Sequence, residues 1–385
     1  MPSDLSQPYI PLSVPDLSGN EAAYLAECVA TNWVSTAGPF VEKFEKSVAD
    51  YVGAPHAVAT ASGTAALHVA LLVAGVQPDD EVLVSTLSFI APANAIRYVN
   101  AHPVFVDADE RDWQMDVGLA IDFLTQDCEQ KGGALFNKAT GRKIGAIMPV
   151  HILGSAVNMG PLIEVARRFD IPVIEDATEG LGAKYDGKPL GTVGDIGCFS
   201  FNGNKLVTCG GGGMFVTAKR DWAKAAAHLT TQAKSESIES VHDQIGFNYR
   251  LTNIQAALGC AQMERIDDFI AARRSLANQY REFCETVEGL RFMPEAPSVD
   301  GVNWLSTIQC ASSWRELKAE LERSNIETRP LWQPLHMSPA HMGAPILRGE
   351  MAEKIQKSAL CLPSSPGIKG DEKDQIFSAL RVFFA

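Results

Sequence analysis

The residues with the clearest chemical potential lie in three places along the chain. The tripeptide Ser62-Gly63-Thr64 closes an apolar run and opens an apolar helix, where free backbone amides and a glycine suit a phosphate group. A simple helix cap by Ser62 is the competing interpretation. Asp176 directly follows the apolar run 171–175, so its carboxylate would face a ligand crevice and could bind a protonated ring nitrogen. A helix cap or a salt bridge would explain that position equally well.

The third place is the segment Ser200–Lys205, which the four-glycine run 210–213 follows closely. Glycines let the backbone approach something flat and bulky, and a lysine amine buried there can form a Schiff base with a carbonyl. Such a lysine, taken alone, is more often structural. A phosphate site, an acid and a buried amine on one α/β domain are together the parts that pyridoxal 5′-phosphate requires. The sequence therefore predicts a binding site for this cofactor.

Alternating strand and helix patterns predict the scaffold that positions these residues. Short apolar runs lie at 56–61, 82–85, 103–106, 144–150 and 171–175, and helical patterns lie between them at 63–72, 91–99 and 159–169. This alternation is typical of an α/β fold with a mostly parallel sheet that helices cover on both faces. Ligands of such sheets bind at the carboxyl ends of the strands, which is where the three places fall.

A second, smaller α+β domain is predicted at the C-terminal end. A long helical pattern from Asn253 through Glu288 leads to a strand near 303–310 and to helices near 314–323 and 373–383. We expect a large cofactor-binding domain over residues 1–255 and the smaller domain over 256–385. The polar stretch 126–143 is interpreted as a surface insertion.

Composition and charge limit the classes of function. The chain of 385 residues carries 33 Lys+Arg and 46 Asp+Glu, a net charge of −13, and its basic residues form no stripe, which disfavours nucleic acid and anionic membranes as partners. No apolar run of membrane-spanning length, signal-peptide pattern or metal-site cysteine spacing occurs. His336 and His341 are a poor zinc pair because Pro339 lies between them. We expect a cytoplasmic protein with reduced thiols and no metal.

Seven segments resemble the DegT/StrS family of sugar-nucleotide aminotransferases, in order and at the family's spacing. These segments are 40–45, 61–68, 91–96, 104–107, 175–177, 194–201 and 246–251. The resemblance spans nearly the whole chain. It implies the fold-type-I architecture of pyridoxal-phosphate aminotransferases and a homodimer with shared active sites.

The resemblance also implies a role for each matching residue. Lys205 corresponds to the lysine that forms the Schiff base, and Asp176 to the partner of the ring nitrogen. Phe89 would stack on the ring, Glu179 would approach its hydroxyl group, and Asn202 stands where several relatives carry histidine. The phosphate would be held by the remaining matches, which are Ser62, Gly63, Thr64, Ser200 and, from the neighbouring subunit, Asn248.

The lysine at position 205 distinguishes the aminotransferases of this family from the related sugar dehydratases, which carry histidine there. The resemblance therefore implies transamination: L-glutamate would convert the cofactor to pyridoxamine 5′-phosphate, and the amine would pass to C4 of a nucleotide-linked 4-keto-6-deoxy sugar, with Lys205 as general base and acid. Segments 229–234 and 242–250 are most similar to the subgroup acting on UDP-4-keto-6-deoxy-N-acetylhexosamines in bacillosamine or legionaminic acid pathways. The alternatives are a GDP-perosamine synthase-like or dTDP-keto-sugar aminotransferase, and a regulator that only binds the cofactor.

Three residues are candidate substrate contacts. Arg329 and His336 lie in a segment, 329–336, that resembles one near the sugar nucleotide in the family, and Thr36 lies in the candidate loop 33–38. A guanidinium at Arg329 could bind a phosphate through two parallel hydrogen bonds. The competing interpretation of 329–336 is a proline-bounded turn that packs Trp332.

Overall fold

The computed structural model describes residues 8–236, 239–310 and 314–384. Its α-helices are α1 (Glu21–Ala30), α2 (Pro39–Val52), α3 (Gly63–Val73), α4 (Ala91–Tyr98), α5 (Val117–Asp122), α6 (Met159–Arg168), α7 (Arg220–Thr230), α8 (Asn253–Met263), α9 (Ile266–Glu285), α10 (Trp314–Arg323), α11 (Glu350–Ser358) and α12 (Gly370–Phe384). Its strands are β1 (His56–Thr60), β2 (Glu81–Ser85), β3 (His102–Val106), β4 (Cys128–Lys131), β5 (Ala134–Asn137), β6 (Ile144–Met148), β7 (Ile174–Asp176), β8 (Lys184–Tyr185), β9 (Lys188–Pro189), β10 (Ile196–Ser200), β11 (Gly213–Thr217), β12 (Lys234–Glu236), β13 (Val241–His242), β14 (Leu290–Phe292), β15 (Val299–Asp300), β16 (Thr307–Cys310), β17 (Arg329–Pro330), β18 (Ile346–Leu347) and β19 (Ala359–Cys361).

The central sheet runs in the order β18-β3-β2-β6-β7-β10-β11-β1. Its two halves meet where parallel bridges join Ile147 to Val173 and Val150 to Asp176. Strand β11 is antiparallel to both of its neighbours, whereas the other neighbouring strands pair in parallel. The predicted α/β fold with a mostly parallel mixed sheet is confirmed.

Helices cover both faces of this sheet, so its inner strands are buried on both sides. Every residue of β2 and β6 is buried, as expected for strands with no solvent-facing side. Side chains of β2 alternate between two cores: Leu83 belongs to one hydrophobic cluster, and Val82 and Val84 belong to the other. These two cores hold the strand ends, and with them the site, in fixed relative positions.

A second sheet, β14-β16-β19-β17, lies in the C-terminal part of the chain and is antiparallel. Its core includes Leu276, Leu317 and Ile376 from three helices, and Ile10 from the start of the chain. The division at residues 255 and 256 stays a prediction, and helix α8, which packs on α2, crosses that point.

Two segments differ from their predicted form. The helical pattern 253–288 is interrupted between α8 and α9 at Arg265, whose guanidinium binds Asp16. The stretch 126–143 contains the hairpin β4–β5, and the buried amide of Asn137 donates a hydrogen bond to Glu81 at 2.8 Å. The insertion is therefore tied to the sheet by a buried polar contact.

All eight cysteines are buried free thiols. Within the described ranges, no helix combines the length and the apolar character needed to cross a membrane.

Candidate active site

A cavity of about 450 Å³ opens at the carboxyl ends of β1, β2, β6, β7 and β10. It brings together ten predicted site residues, namely Ser62, Gly63, Thr64, Phe89, Asp176, Glu179, Ser200, Asn202, Lys205 and Arg329. The wall opposite the sheet comes from the C-terminal part of the chain and includes Trp304 and Trp332. Its size is in the usual range for a small-molecule site.

The start of α3 forms the first part of the site. The hydroxyl of Ser62 accepts a hydrogen bond from the Ala65 amide at 3.0 Å, so Ser62 does cap the helix. The cap leaves the amides of Gly63 and Thr64 in the first turn, where no intrahelical acceptor exists. A Cβ atom on Gly63 would lie 2.8 Å from the Cβ of Ser200. The helix start and Ser200 therefore pack closely, and their amide and hydroxyl donors form a cradle at the cavity that fits the predicted phosphate site.

The glycine run 210–213 lets β11 approach this cradle. A Cβ atom on Gly213 would lie 2.4 Å from the carbonyl oxygen of Ser62. Gly212 has a φ of +126°, a conformation that other residues rarely adopt, and its carbonyl accepts a hydrogen bond from Phe201 at 2.9 Å. Backbone conformation therefore explains the glycine at position 212, and close approach to Ser62 explains the one at position 213.

Asp176 ends β7 with only 2% of its surface exposed. The Thr178 amide donates to its Oδ1 at 3.2 Å. Burial raises the pKa of Asp176 above its ordinary value, because the buried carboxylate lacks the solvent that stabilises its charge. A protonated ring nitrogen would supply the missing counter-charge, so this position fits the predicted pyridinium partner.

The preceding residue, Glu175, anchors the same strand on its other side. Its carboxylate accepts hydrogen bonds from Nε2 of His151 at 3.0 Å and from the amides of Val193 and Gly194 at 2.8 and 2.6 Å. Because Nδ1 of His151 accepts from the Val157 amide, Nε2 carries the proton that faces Glu175. This buried pair fixes the strand that carries Asp176, and the sequence reasoning did not find it.

Lys205 lies between a carboxylate and an aromatic ring. Its Nζ is 3.1 Å from Oε1 of Glu179 and 3.9 Å from the ring centroid of Trp304. The other carboxylate oxygen of Glu179 accepts from the Leu153 amide at 2.8 Å. Only 14% of the Lys205 side chain is exposed. A shielded amine, an acid and an amide-lined cradle in one cavity fit pyridoxal phosphate.

Three predicted site residues do not line the cavity of their own chain. Asn248 is exposed, between Phe247 and Tyr249, whose rings stack at 4.9 Å and pack on His68. Its predicted contact with a neighbouring subunit stays a prediction.

The two substrate candidates outside the cavity are held elsewhere. Thr36 lies in a loop tied to Asn253, whose amide donates to the Trp33 carbonyl at 2.8 Å. Nδ1 of His336 lies 2.8 Å from the hydroxyl of Thr86, and Nε2 lies 3.6 Å from Glu353. Their substrate roles stay predictions.

Several cavity residues were not predicted as site residues, namely Ser88, Thr178, Asn204, Trp304 and Trp332. Thr178 lies two residues beyond Asp176, so its place after a strand end was a usable signal. No sequence signal marked Trp304 as a site residue, because the segment 303–310 was interpreted only as a strand.

This fold and site define a fold-type-I, pyridoxal-phosphate-dependent aminotransferase. The chain belongs to the DegT/DnrJ/EryC1/StrS aminotransferase family, whose profile matches residues 15–381. It is 39% identical to a GDP-perosamine synthase of Caulobacter vibrioides over 98% of both chains, and 37% identical to one of Escherichia coli O157:H7 over 98% of this chain and 99% of that one. A DegT DnrJ EryC1 StrS aminotransferase from Brucella abortus superimposes with a TM-score of 0.88 at 27% identity, over 95% of both chains.

The predicted family, fold type, enzyme class and cofactor are thereby confirmed. The narrower prediction of a UDP-sugar subgroup is not confirmed, because these two relatives are GDP-perosamine synthases. The chain is a sugar aminotransferase.

Proposed function

We propose that the enzyme transfers an amino group from L-glutamate to C4 of a GDP-linked 4-keto-6-deoxy sugar. The observation that carries the proposal is one cavity holding Lys205, Asp176 and the start of α3, with Arg329 at its wall. The choice of GDP is supported by the similarity to two GDP-perosamine synthases. A UDP-linked N-acetylhexosamine is the second candidate, which the resemblance of segments 229–234 and 242–250 favours.

Pyridoxal phosphate, when bound, supplies an electron sink for a carbanion next to its ring. The phosphate cradle would bind its phosphate, and Asp176 would hold a proton on the ring nitrogen. Lys205 would bind the aldehyde covalently and, once released, move a proton to or from the carbon that exchanges the amine. Glu179, 3.1 Å away, orients the Lys205 amine.

Arg329 would bind the diphosphate of the sugar nucleotide. It lies on β17, is half-buried and lines the cavity beside Trp332. A guanidinium offers two parallel donors to a phosphate, and partial burial strengthens that attraction relative to open water. Because the net charge of the chain is −13, a local positive group at this wall would favour the binding of an anionic substrate.

We further propose that two chains share their active sites in a homodimer. Phe89, the predicted ring-stacking residue, is 57% exposed in a single chain. Asn248 faces outwards because its neighbours, Phe247 and Tyr249, pack inwards on His68. A second subunit would cover Phe89, and its active site would receive Asn248.

Lys205→Ala tests the chemical role. It should abolish multiple turnovers while pyridoxamine phosphate still binds. Lys219→Ala is a matched control, because Lys219 also pairs with a carboxylate, Asp195, and lies on a tryptophan ring, but far more exposed. Retained turnover in Lys205→Ala, or equal loss in both variants, would reject the assignment.

A second experiment decides the nucleotide. The enzyme is incubated with glutamate and with the 4-keto-6-deoxy sugars of GDP, UDP and dTDP, and the amine product is measured by mass. We expect product from the GDP sugar. Product from the UDP sugar alone would replace GDP by the second candidate, and no product from any of them would contradict the proposed substrate class.

A further inference from the structure

The amine of Lys205 has two partners of different chemistry. Glu179 offers a negative charge at 3.1 Å, and the face of Trp304 offers its π electrons at 3.9 Å from the ring centroid. Trp304 is only 2% exposed, and a cation–π contact gains strength where water is excluded. A carboxylate and the face of an aromatic ring both attract an ammonium group.

Trp304 also holds the backbone that carries this lysine. Its indole Nε1 donates to the carbonyl of Asn204, the residue directly before Lys205, at 2.8 Å. The hydroxyl of Ser13 donates to the same carbonyl at 3.3 Å. The Trp304 side chain therefore contacts both the Lys205 amine and the loop that carries Lys205.

Trp304 is itself fixed from behind. The buried guanidinium of Arg273 donates to the Trp304 carbonyl and, at 3.3 Å, to Ser13. On another side, a Cβ atom on Gly154 would lie 2.7 Å from the Trp304 amide nitrogen. The residue before that glycine, Leu153, holds Glu179 through its amide. One short turn thus aligns both partners of the Lys205 amine.

We propose that Trp304 is a positioning residue that retains the released, protonated Lys205 amine beside Glu179 and fixes the loop that carries it. This inference rests on the proposed role of Lys205 and deepens it. Without the ring, the freed amine would lose one wall of its site and could move away from the carbon to which it must deliver a proton.

The test uses the apoprotein, so it does not depend on turnover. The rate at which trinitrobenzenesulfonate modifies Lys205 is measured by peptide mass, near neutral pH and at strongly alkaline pH. Only the neutral amine reacts, so Trp304→Leu should accelerate modification about five- to tenfold near neutral pH. Trp304→Phe, which keeps a ring face, should stay within about twofold. At alkaline pH all three proteins should converge, because a neutral amine gains little from the ring.

The matched control is Trp222→Leu, which removes the ring 3.7 Å from Lys219 and should leave Lys205 unchanged. Equal rates for wild type and Trp304→Leu near neutral pH would overturn the inference. So would a difference that persists at alkaline pH, because that would report access rather than charge.

Trp304→Phe keeps the inference testable if Trp304→Leu does not fold. Because phenylalanine cannot donate to the Asn204 carbonyl, the Lys205 amide, bonded to the Asn202 carbonyl at 3.0 Å, should exchange its hydrogen about fivefold faster. Unchanged exchange would contradict the loop-holding role.

Borohydride reduction of the wild-type holoenzyme distinguishes failure of the proposed function from failure of this inference. If reduction does not modify Lys205, the proposed function is refuted. Equal modification rates in the apoproteins would refute only the role of Trp304.

Discussion

A single methyl group added at Gly63 tests the phosphate cradle most directly. In Gly63→Ala the new Cβ would lie 2.8 Å from the Cβ of Ser200, 3.1 Å from Cγ2 of Thr178 and 3.2 Å from the hydroxyl of Ser200. Ser200 ends a buried strand in the middle of the sheet, so it cannot withdraw easily. The start of α3 must move instead, and it carries the amides of Gly63 and Thr64 with it.

The size of the effect follows from the cost of overpacking. Inserting a methyl group into a filled site costs about 1–3 kcal/mol. If displacement of the Gly63 and Thr64 amides passes that cost on to the bound cofactor, its dissociation constant should rise about 5- to 150-fold. Backbone strain does not contribute, since Gly63 is not among the glycines with positive φ.

The assay is equilibrium titration of the apoprotein with pyridoxal phosphate, followed by absorbance. Gly203→Ala is the matched control, because it lies in the lysine loop and a Cβ there meets nothing within 4 Å. We expect Gly203→Ala to bind like wild type. Equal affinity of Gly63→Ala and Gly203→Ala, with both variants folded, would refute the cradle.

Three further predictions concern the buried groups. Burial raises the pKa of Asp176 above its ordinary 3.8, so the apoprotein loses stability as the pH rises from about 3.8 through the raised folded value. Asp176→Asn should therefore unfold at a higher temperature than wild type near neutral pH, with the gap closing as the pH falls, yet bind the cofactor about 10- to 100-fold more weakly by titration. His151→Leu removes one donor from the buried Glu175 and the acceptor of the Val157 amide, and should lower the free energy of unfolding by about 2–5 kcal/mol in denaturant titrations. Burial raises the pKa of Cys310 and Cys361 to about 11, so neither thiol should react with a thiol reagent near neutral pH until the protein is denatured; rapid reaction of the native protein would contradict their burial.

The floor of the site was predictable because its residues follow strand ends. Ser62, Asp176 and Ser200 each end or follow an apolar run, and parallel strands bring such positions to one edge. Local order in the sequence was therefore enough to place these groups in one cavity, and the family resemblance supplied their roles.

The cavity wall that includes Trp304 and Trp332 could not be predicted from local sequence patterns. Trp304 contacts a lysine 99 residues earlier in the chain, and that contact depends on how the C-terminal part packs over the sheet. The prediction for His336 shows the same limit, because Thr86, at the end of a distant strand, fixes its ring. Sequence spacing carries no information about such contacts.

The charges of the cavity explain how an acidic protein can bind an anionic cofactor. Its charged lining residues are Asp176, Glu179, Lys205 and Arg329, which leave no net positive charge to attract a phosphate. The donors at the cradle are instead neutral: two amides at the start of α3 and the hydroxyl of Ser200. Dipolar donors act over the first turn of a helix only. We therefore expect close fit to select the phosphate, so that the glycine at position 63 matters more to this site than the net charge of the chain.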